Sequence, residues 1–100
     1  MVEKTIYVRN KTGLHLRPAT ELSQLCAKLS SQIKIQFGTK VLNPKSVLML
    51  MGAGIRQGSK IHITVEGENE EADLKAIEEK IDSGFGEEML SIEEIKAQEQ

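Results

Sequence analysis

Three segments of the chain carry apolar side chains at every second position, which is the period of a β-strand with one buried face. The apolar positions of these segments are Ile6 and Val8, then Ile33, Ile35 and Phe37, and finally Ile61, Ile63 and Val65. Strands of a parallel sheet are buried on both faces, so this alternation favours an antiparallel sheet that is open to solvent on one side. The opposite face must then be covered by other elements.

Segments with helical periodicity alternate with these strands and supply the cover. Apolar residues three and four positions apart predict a first helix from about residue 16 to residue 29. Further along the chain, Leu74, Ile77 and Ile81 mark the buried side of another helix, and Gly84 is its expected stop. Each helix therefore has one apolar side for the sheet and one polar side for solvent.

Turn and cap residues define the two remaining elements. Gly38 and Thr39 turn the second strand into a short strand at residues 40–42, which makes a hairpin. Ser46 is a favourable N-cap for a short helix of residues 47–51, and the glycines that follow end that helix. The element order βαββαβα predicts an α+β fold, an open-faced sandwich in which a four-stranded antiparallel sheet is covered on one face by three helices.

The last part of the chain departs from this pattern. Residues 85–100 are rich in acidic side chains, and Ser91 followed by Glu94 has the spacing of a capping box. We expect residues 1–84 to form one domain and residues 85–100 to be an acidic extension, either a short helix or disordered. A helix of this length is marginal by itself.

Bulk properties limit the classes of function. A chain of 100 residues makes about one small domain, which buries only roughly 60 to 70% of its unfolded surface, so a deep substrate cavity is not expected. No apolar stretch approaches the roughly 20 residues of a transmembrane helix, and the first residues have no secretory-signal pattern. We therefore expect a cytoplasmic monomer without a membrane partner.

The charge of the chain is small but unevenly distributed. A net charge of −2 gives no overall attraction to nucleic acid, so no nucleic-acid partner is expected. Basic residues dominate up to Lys60 and acidic residues dominate from Glu66 onward. This bias predicts one basic surface, which suits an acidic protein partner.

The remaining residues with reactive side chains give no sign of a metal or a cofactor. Cys26 is the only cysteine and lies on an apolar stripe, so we expect a small buried hydrophobe. His62 alternates with isoleucines and is expected on the solvent face of its strand. The two histidines and the cysteine have unrelated spacings, which predicts no metal site. Gly52 to Gly54 lack the lysine of a phosphate-binding loop, so no nucleotide cofactor is expected.

His15 stands between a glycine-containing turn and a helix with Pro18 in its first turn. Unpaired backbone N–H groups and the positive end of the helix dipole make such a position an anion site. Arg17 adds a permanent cation whose planar guanidinium can bind two phosphate oxygens at once. Imidazole is a good nucleophile near neutral pH, so the pattern indicates a nucleophile inside an anion site. A lone histidine at a helix start is equally compatible with a solvated residue or a simple cap.

The run from Gly13 to Thr20, GLHLRPAT, resembles the active-site signature of the HPr family, the histidine-containing phosphocarriers of the bacterial phosphotransferase system. The resemblance covers about residues 2–84 and continues through Lys45-Ser46-Val47, Gly54-Ile55, Gly58 and Val65-Glu66-Gly67. The chain departs from the commonest pattern at Leu16, at Pro44 and in the methionine-rich helix after Ser46. Residues 81–87 are similar to the nitrogen-related branch, called NPr, more than to the sugar-transport branch.

This resemblance implies a set of roles for particular residues. His15 would carry a phosphohistidine, Arg17 would stabilise the phosphate, and the backbone N–H groups of Leu16 and Arg17 would bind it. Phosphorylated enzyme I would be the donor and an EIIA-type protein the acceptor, so the chain would be a relay and not an enzyme. Ser46 would be a regulatory site for an HPr kinase/phosphorylase.

The short helix after Ser46 also predicts a docking surface. Residues 47–51 are five apolar residues in little more than one helical turn, so they point all round and some must be exposed. A contiguous apolar patch that contains methionine is typical of a surface that binds partners. In HPr relatives this helix and the first one form the face that partners bind, so the resemblance implies the docking residues Leu16, Thr20, Val47, Leu48 and Met51.

Two other functions are compatible with the chain. A regulatory docking module of the same fold, as in the nitrogen-related branch, would control its partners by its phosphorylation state, and His15 and Arg17 fit that function equally well. An RNA-binding module would use the open face of the sheet. That face offers Tyr7, whereas Phe37 is in phase with buried isoleucines, and stacking platforms for bases need more aromatic residues.

Overall fold

Four strands and four α-helices make up residues 1–98, the part of the chain that the computed structural model describes. In chain order the elements are β1 (Val2–Tyr7), α1 (Leu16–Ala27), β2 (Gln32–Phe37), β3 (Lys40–Leu42), α2 (Val47–Gly52), β4 (Lys60–Glu66), α3 (Glu70–Asp82), a single 3-10 turn (Gly84–Gly86) and α4 (Ile92–Gln98). The predicted order βαββαβα is confirmed, with α4 added after it. The strands form one sheet in the spatial order β1-β4-β2-β3.

The register of the sheet places the apolar residues of neighbouring strands side by side. The central strand β4 pairs antiparallel with β1, where Ile6 stands opposite Ile61, and with β2, where Ile35 stands opposite Ile63. All four of these isoleucines are buried. Because side chains alternate between faces, the residues between them point to the open side of the sheet. The predicted antiparallel, open-faced α+β fold is confirmed.

Helices α1, α2 and α3 bury their apolar residues in the same core as the inner face of the sheet. Leu22 and Cys26 contribute from α1, Leu50 from α2, and Ile77 and Ile81 from α3. Burial raises the pKa of the Cys26 thiol to about 12, so this cysteine is an unreactive core residue, as its position on the apolar stripe predicts. No helix within residues 1–98 combines the length and the apolar character needed to cross a membrane.

Helix α1 ends at Ala27, two residues before the predicted end. The next backbone N–H groups bond to carbonyls three positions back, from Lys28 to Leu25 and from Leu29 to Cys26. This tighter pattern is the usual last turn of a helix. Leu29 stays half-buried against the core, which is why the apolar spacing continues past the helical residues.

Three consecutive residues with positive φ reverse the chain after α3. Gly84, Phe85 and Gly86 have φ angles of 72°, 55° and 80°. Gly84 follows the cap residue of α3 and ends that helix, as predicted. Phe85 is a rare non-glycine residue in the left-handed region, and its buried side chain holds it there. The turn reverses the chain, so the following segment runs back to the residues after β1.

The segment after this turn pairs with the residues that follow β1. The N–H of Lys11 donates to the carbonyl of Glu88 at 2.8 Å, and the N–H of Leu90 donates to the carbonyl of Arg9 at 3.0 Å. The predicted capping box is present, since the N–H of Glu94 donates to the Ser91 hydroxyl oxygen and the Ser91 N–H donates to the Glu94 carboxylate.

Helix α4 follows that capping box and is anchored by the buried Ile95. Of the two forms expected for the extension, a short helix or a disordered segment, the described part therefore contains the helix. Residues 99 and 100 of the extension lie outside the described residues. The division of the chain into a domain and an extension at residue 84 stays a prediction.

The turn between β1 and α1 is packed directly against the backbone that follows α2. Gly13 has a φ of 64°, and a Cβ atom there would come within 2.6 Å of the Ile55 carbonyl oxygen and closer still to the Arg56 Cα. The neighbouring Leu14 N–H donates to that same Ile55 carbonyl at 3.0 Å. Only glycine fits this contact, which lies two residues before the N-cap His15 of the following helix.

We predict that Gly13→Ala destabilises the protein more than Gly38→Ala does. Both glycines have similar positive φ angles, but a Cβ atom at Gly38 would meet nothing within 4 Å. Both variants incur about 1 to 2 kcal/mol for alanine in the left-handed region, and the backbone clash at Gly13 adds about 1 to 3 kcal/mol. Urea unfolding of both variants measures the difference, and equal losses of unfolding free energy would contradict the close contact.

Candidate functional site

His15 occupies the N-cap position of α1. Its backbone is extended, with φ −72° and ψ −172°, and its carbonyl accepts the N–H of Ala19 at 2.8 Å. Its side chain makes no capping hydrogen bond and is exposed to solvent. The alternative of a simple side-chain cap is therefore wrong, and the imidazole stands at the front of the helix where an incoming group can reach it.

The first turn of α1 provides backbone donors beside this imidazole. The first residues of a helix have N–H groups without an acceptor inside the helix. Leu16 and Arg17 hold the first two positions, Pro18 has no N–H, and the Ala19 N–H is already bonded to His15. Two backbone donors and the positive end of the helix dipole therefore face the position of His15.

Arg17 lies in the same first turn and extends into solvent. Its guanidinium Nε is 3.5 Å from the Glu21 carboxylate, one helical turn away, and the side chain is 78% exposed. Glu21 also pairs with Lys80 at 3.0 Å, so its charge is shared between two cations. Exposed ion pairs of this kind contribute little stability. Arg17 can therefore turn toward an anion at His15 at small cost.

A pocket of about 440 Å³ lies next to His15 and is lined by Leu14, His15, Met51, Gly54, Ile55 and Arg56. Arg56 brings a second exposed guanidinium to the same depression as the imidazole. Sequence reasoning missed Arg56, because it lies 41 positions beyond His15 and the two are brought together by tertiary contacts, the packing of Gly13 on the Arg56 backbone and the hydrogen bond between Leu14 and Ile55. A larger depression of about 520 Å³ beside β3 contains none of the predicted phosphate-site residues.

The five predicted docking residues differ in exposure. Leu48 is 82% exposed, Leu16 is 63% exposed and Met51 is 41% exposed. Val47 is half-buried and packs against the core. Thr20 is also half-buried, and its hydroxyl donates to the Leu16 carbonyl within the helix. Leu16, Leu48 and Met51 are thus the exposed members of this set, on the helices α1 and α2 that contact each other, and we call these three residues the apolar patch.

Ser46 is the N-cap of α2. Its hydroxyl oxygen accepts the N–H of Met49 at 3.2 Å, and its backbone is extended. The predicted capping role is confirmed. The side chain is half-buried and borders the first turn of the helix that carries Leu48.

A second residue that sequence reasoning missed is Glu87, whose carboxylate lies against the turn before His15. Oε1 accepts the Thr12 N–H at 3.0 Å, and the Thr12 hydroxyl is 2.8 Å from both carboxylate oxygens. The Asn10 amide also donates to Oε1 at 3.0 Å. Hydrogen bonds from the Thr12 N–H, the Asn10 amide and the Thr12 hydroxyl lower the pKa of Glu87.

His62 lies on the open face of the sheet, as predicted, and its side-chain contacts are with β1. One ring nitrogen is 2.9 Å from the Thr5 hydroxyl, and the other is 2.7 Å from the Glu3 carboxylate. These contacts join two neighbouring strands at a solvent-facing position. Within residues 1–98, no three histidine, cysteine or acidic side chains are grouped so that they would hold a metal ion.

Comparisons with known proteins identify the family. The model of a family described as "PTS HPr component phosphorylation site" matches residues 2–83. The chain is 38% identical over 88 residues to the phosphocarrier protein HPr of Treponema pallidum (strain Nichols), an alignment that covers 88% of this chain and 100% of that protein.

Solved structures give the same result. The HPr of Thermoanaerobacter tengcongensis has a TM-score of 0.84 at 44% identity, covering 88% of this chain and 99% of that one. The phosphocarrier protein HPr of Bacillus anthracis str. Ames has a TM-score of 0.76 at 35% identity, covering 79% of this chain and 94% of that one. Sequence, fold and the helix start at His15 agree, and the chain belongs to the HPr family of phosphotransferase-system phosphocarriers.

Proposed function

We propose that this chain accepts a phosphoryl group on His15 from phosphorylated enzyme I and passes it to an EIIA-type protein. The observation that carries the proposal is the exposed imidazole of His15, without a capping bond, at the N-cap of α1. Membership of the HPr family supports the same role. The chain acts as a relay between larger proteins and needs no cofactor.

The transfer consists of two displacements at phosphorus. In the first, a neutral ring nitrogen of His15 attacks phosphorus, a nitrogen–phosphorus bond forms, and the bond to the donor breaks with its electron pair passing to the donor. In the second, a nucleophile of the acceptor attacks the same phosphorus. The imidazole then leaves with its electron pair and returns to the neutral form.

The surroundings of His15 suit a group that is held only briefly. The N–H groups of Leu16 and Arg17 and the helix dipole stabilise the phosphoryl oxygens, and Arg17 adds a guanidinium that can bind two of them. At an exposed helix end such charge interactions are worth roughly 0.3 to 1 kcal/mol each. This is enough to orient the phosphoryl group, and it leaves the group accessible to an acceptor.

The surface around His15 suits docking of an acidic partner. The apolar patch of Leu16, Leu48 and Met51 offers area for hydrophobic contact, and Arg17 and Arg56 supply positive charge at its edge. Phosphorylation of Ser46 by an HPr kinase/phosphorylase would place negative charge at this edge and oppose such docking. The nitrogen-related branch suggested by residues 81–87 stays a prediction.

We predict that His15→Ala abolishes labelling by enzyme I and phosphoenolpyruvate while the melting temperature stays nearly unchanged, because the side chain is exposed. His62→Ala is the matched control and should be labelled as the unmodified protein is. Mass spectrometry of the acid-labile phosphate measures the labelling of both variants, and thermal unfolding measures their melting temperatures. Labelling that persists on His15→Ala would refute the assignment of the phosphohistidine.

We predict that Leu48→Glu weakens binding to enzyme I, because it places a charge in the apolar patch, at its most exposed residue. The free energy of unfolding should change by less than about 0.5 kcal/mol, as at other exposed positions. Val41→Glu makes the same change at an exposed position on β3, outside the patch, and should bind normally. Titration calorimetry measures the affinities, and equal affinities for the two variants would exclude the patch as the docking surface.

We predict that Ser46→Asp keeps α2 intact but slows the phosphorylation of His15. Aspartate is a good N-cap and suits the positive helix end, so stability should hold. Its charge repels an acidic partner, and the slowing should shrink as salt is raised. Ser46→Asn caps equally well without charge and should react at the normal rate. If Ser46→Asp reacts as fast as Ser46→Asn at low salt, Ser46 is a cap only.

A further inference from the structure

The segment from Glu87 to Leu90 lies along the backbone that leads into the phosphorylation-site turn, and we call it the C-terminal strap. Its backbone is tied to residues 9–11 by the two hydrogen bonds of Leu90 and Lys11. It is held at one end by the buried Phe85 and at the other by the buried Ile95 of α4. The family match ends at residue 83, so the strap lies beyond the part of the chain that the family model describes.

The side chain of Glu87 is the strap's contact with the turn itself. Its carboxylate receives three donors: the N–H and the hydroxyl of Thr12, and the side-chain amide of Asn10. The same Asn10 amide donates to the Gly13 carbonyl at 2.8 Å, while the Gly13 N–H donates to the Asn10 carbonyl at 3.1 Å. Asn10 is fully buried, so its amide has these two fixed acceptors and little freedom to turn.

These contacts connect Glu87 to His15 through Thr12, Asn10 and Gly13. Glu87 holds Asn10 and Thr12, and Asn10 holds the carbonyl of Gly13. Gly13 is pressed against the backbone of Ile55 and Arg56, and the next two residues are Leu14 and His15. A shift of Thr12 or Asn10 would therefore move the peptide that sets the position of the imidazole over the first turn of α1.

The charge of Glu87 has the wrong sign for binding a phosphoryl group directly. A carboxylate near Arg17 attracts the guanidinium and repels an incoming anion. If Glu87 raises the rate of transfer, it must do so by holding the turn at residues 10–13 in place. The two effects have opposite consequences for the rate, so an experiment can separate them.

We propose that Glu87 is a positioning residue for phosphoryl transfer, which holds the turn before His15 through Thr12 and Asn10. The inference rests on the proposed function of His15. A displacement of about 1 Å at a reacting group can cost roughly 100-fold in rate. Glu87 acts on His15 through Thr12 and Asn10 and does not contact the reacting atoms, so we expect loss of its side chain to slow transfer by about tenfold.

The test compares Glu87→Ala with Glu88→Ala in single-turnover phosphorylation by phosphorylated enzyme I. Glu88 is the adjacent, exposed acidic residue, and its backbone carbonyl pairs with Lys11 whatever its side chain. Both variants lose one negative charge. We expect Glu87→Ala to react about tenfold more slowly, and Glu88→Ala to react like the unmodified protein.

A double-mutant cycle with Thr12 tests whether the effect passes through the turn. Thr12→Val removes the hydroxyl donor and should slow transfer. Thr12→Ser keeps the hydroxyl and should transfer at the rate of the unmodified protein. Adding Glu87→Ala to Thr12→Val should slow transfer less than it does in the unmodified protein, because the hydroxyl hydrogen bond between residue 12 and Glu87 is already lost. If the losses of transfer rate in the two single variants were fully additive, Glu87 would not act through Thr12.

The Thr12 amide resonance gives a readout that does not depend on transfer. Its hydrogen bond to Glu87 is present at neutral pH and is lost as pH falls through the folded-state pKa of that carboxylate, which lies below the ordinary value. The resonance should therefore titrate at acidic pH with a midpoint below that of a free glutamate. The titration should be absent in Glu87→Ala.

Several results would overturn the inference. Equal or faster transfer by Glu87→Ala than by Glu88→Ala would do so, and so would a lower melting temperature of Glu87→Ala at an unchanged rate, which would make the contact merely structural. These results leave labelling of His15 in the unmodified protein intact. An unmodified protein that is not labelled on His15 would instead overturn the proposed function together with this inference.

Discussion

The pairing of β4 with both of its neighbours is the constraint on which the rest of the molecule depends. Ile61 and Ile63 stand opposite Ile6 of β1 and Ile35 of β2, so one face of three strands is apolar at once. A slip of one residue in either pairing would turn the apolar set of that strand to solvent. Because the core holds this register, the ends of the strands and the turns that follow them are also held.

The position of the site at His15 depends on that register. The turn after β1 brings Gly13 onto the backbone after α2, and the buried side chain of Leu14 fastens the turn to the core. His15 is the next residue and points to solvent at the front of α1. The alternation between a buried Leu14 and an exposed His15 explains how the imidazole is held in place and still accessible from solvent.

The opposite behaviour of Cys26 and His15 illustrates how the fold separates packing from chemistry. Both are nucleophilic residue types, with Cys26 inside α1 and His15 at its N-cap. Burial holds the Cys26 thiol in its protonated, unreactive form, whereas His15 stands at the helix start with backbone donors around it. Burial of Cys26 and the position of His15 at the helix start therefore separate the two residues.

Local sequence patterns were sufficient for the strands, the helices, the cap at Ser46 and the helix start at His15, because these depend on residues a few positions apart. The same reasoning extended α1 by two residues, since the half-buried Leu29 keeps the apolar spacing after the hydrogen-bond pattern has changed. It found the capping box of α4 but not where α4 and the strap before it would lie.

Tertiary structure alone decided which distant residues surround His15. Arg56 reaches the pocket because two backbones meet at Gly13, and Glu87 contacts Thr12 across 75 positions of the chain. Neither residue has a periodicity or motif that indicates such a contact. Sequence patterns report the faces of single elements, whereas these contacts arise only when strand register and chain reversal at residues 84–86 bring separate elements together.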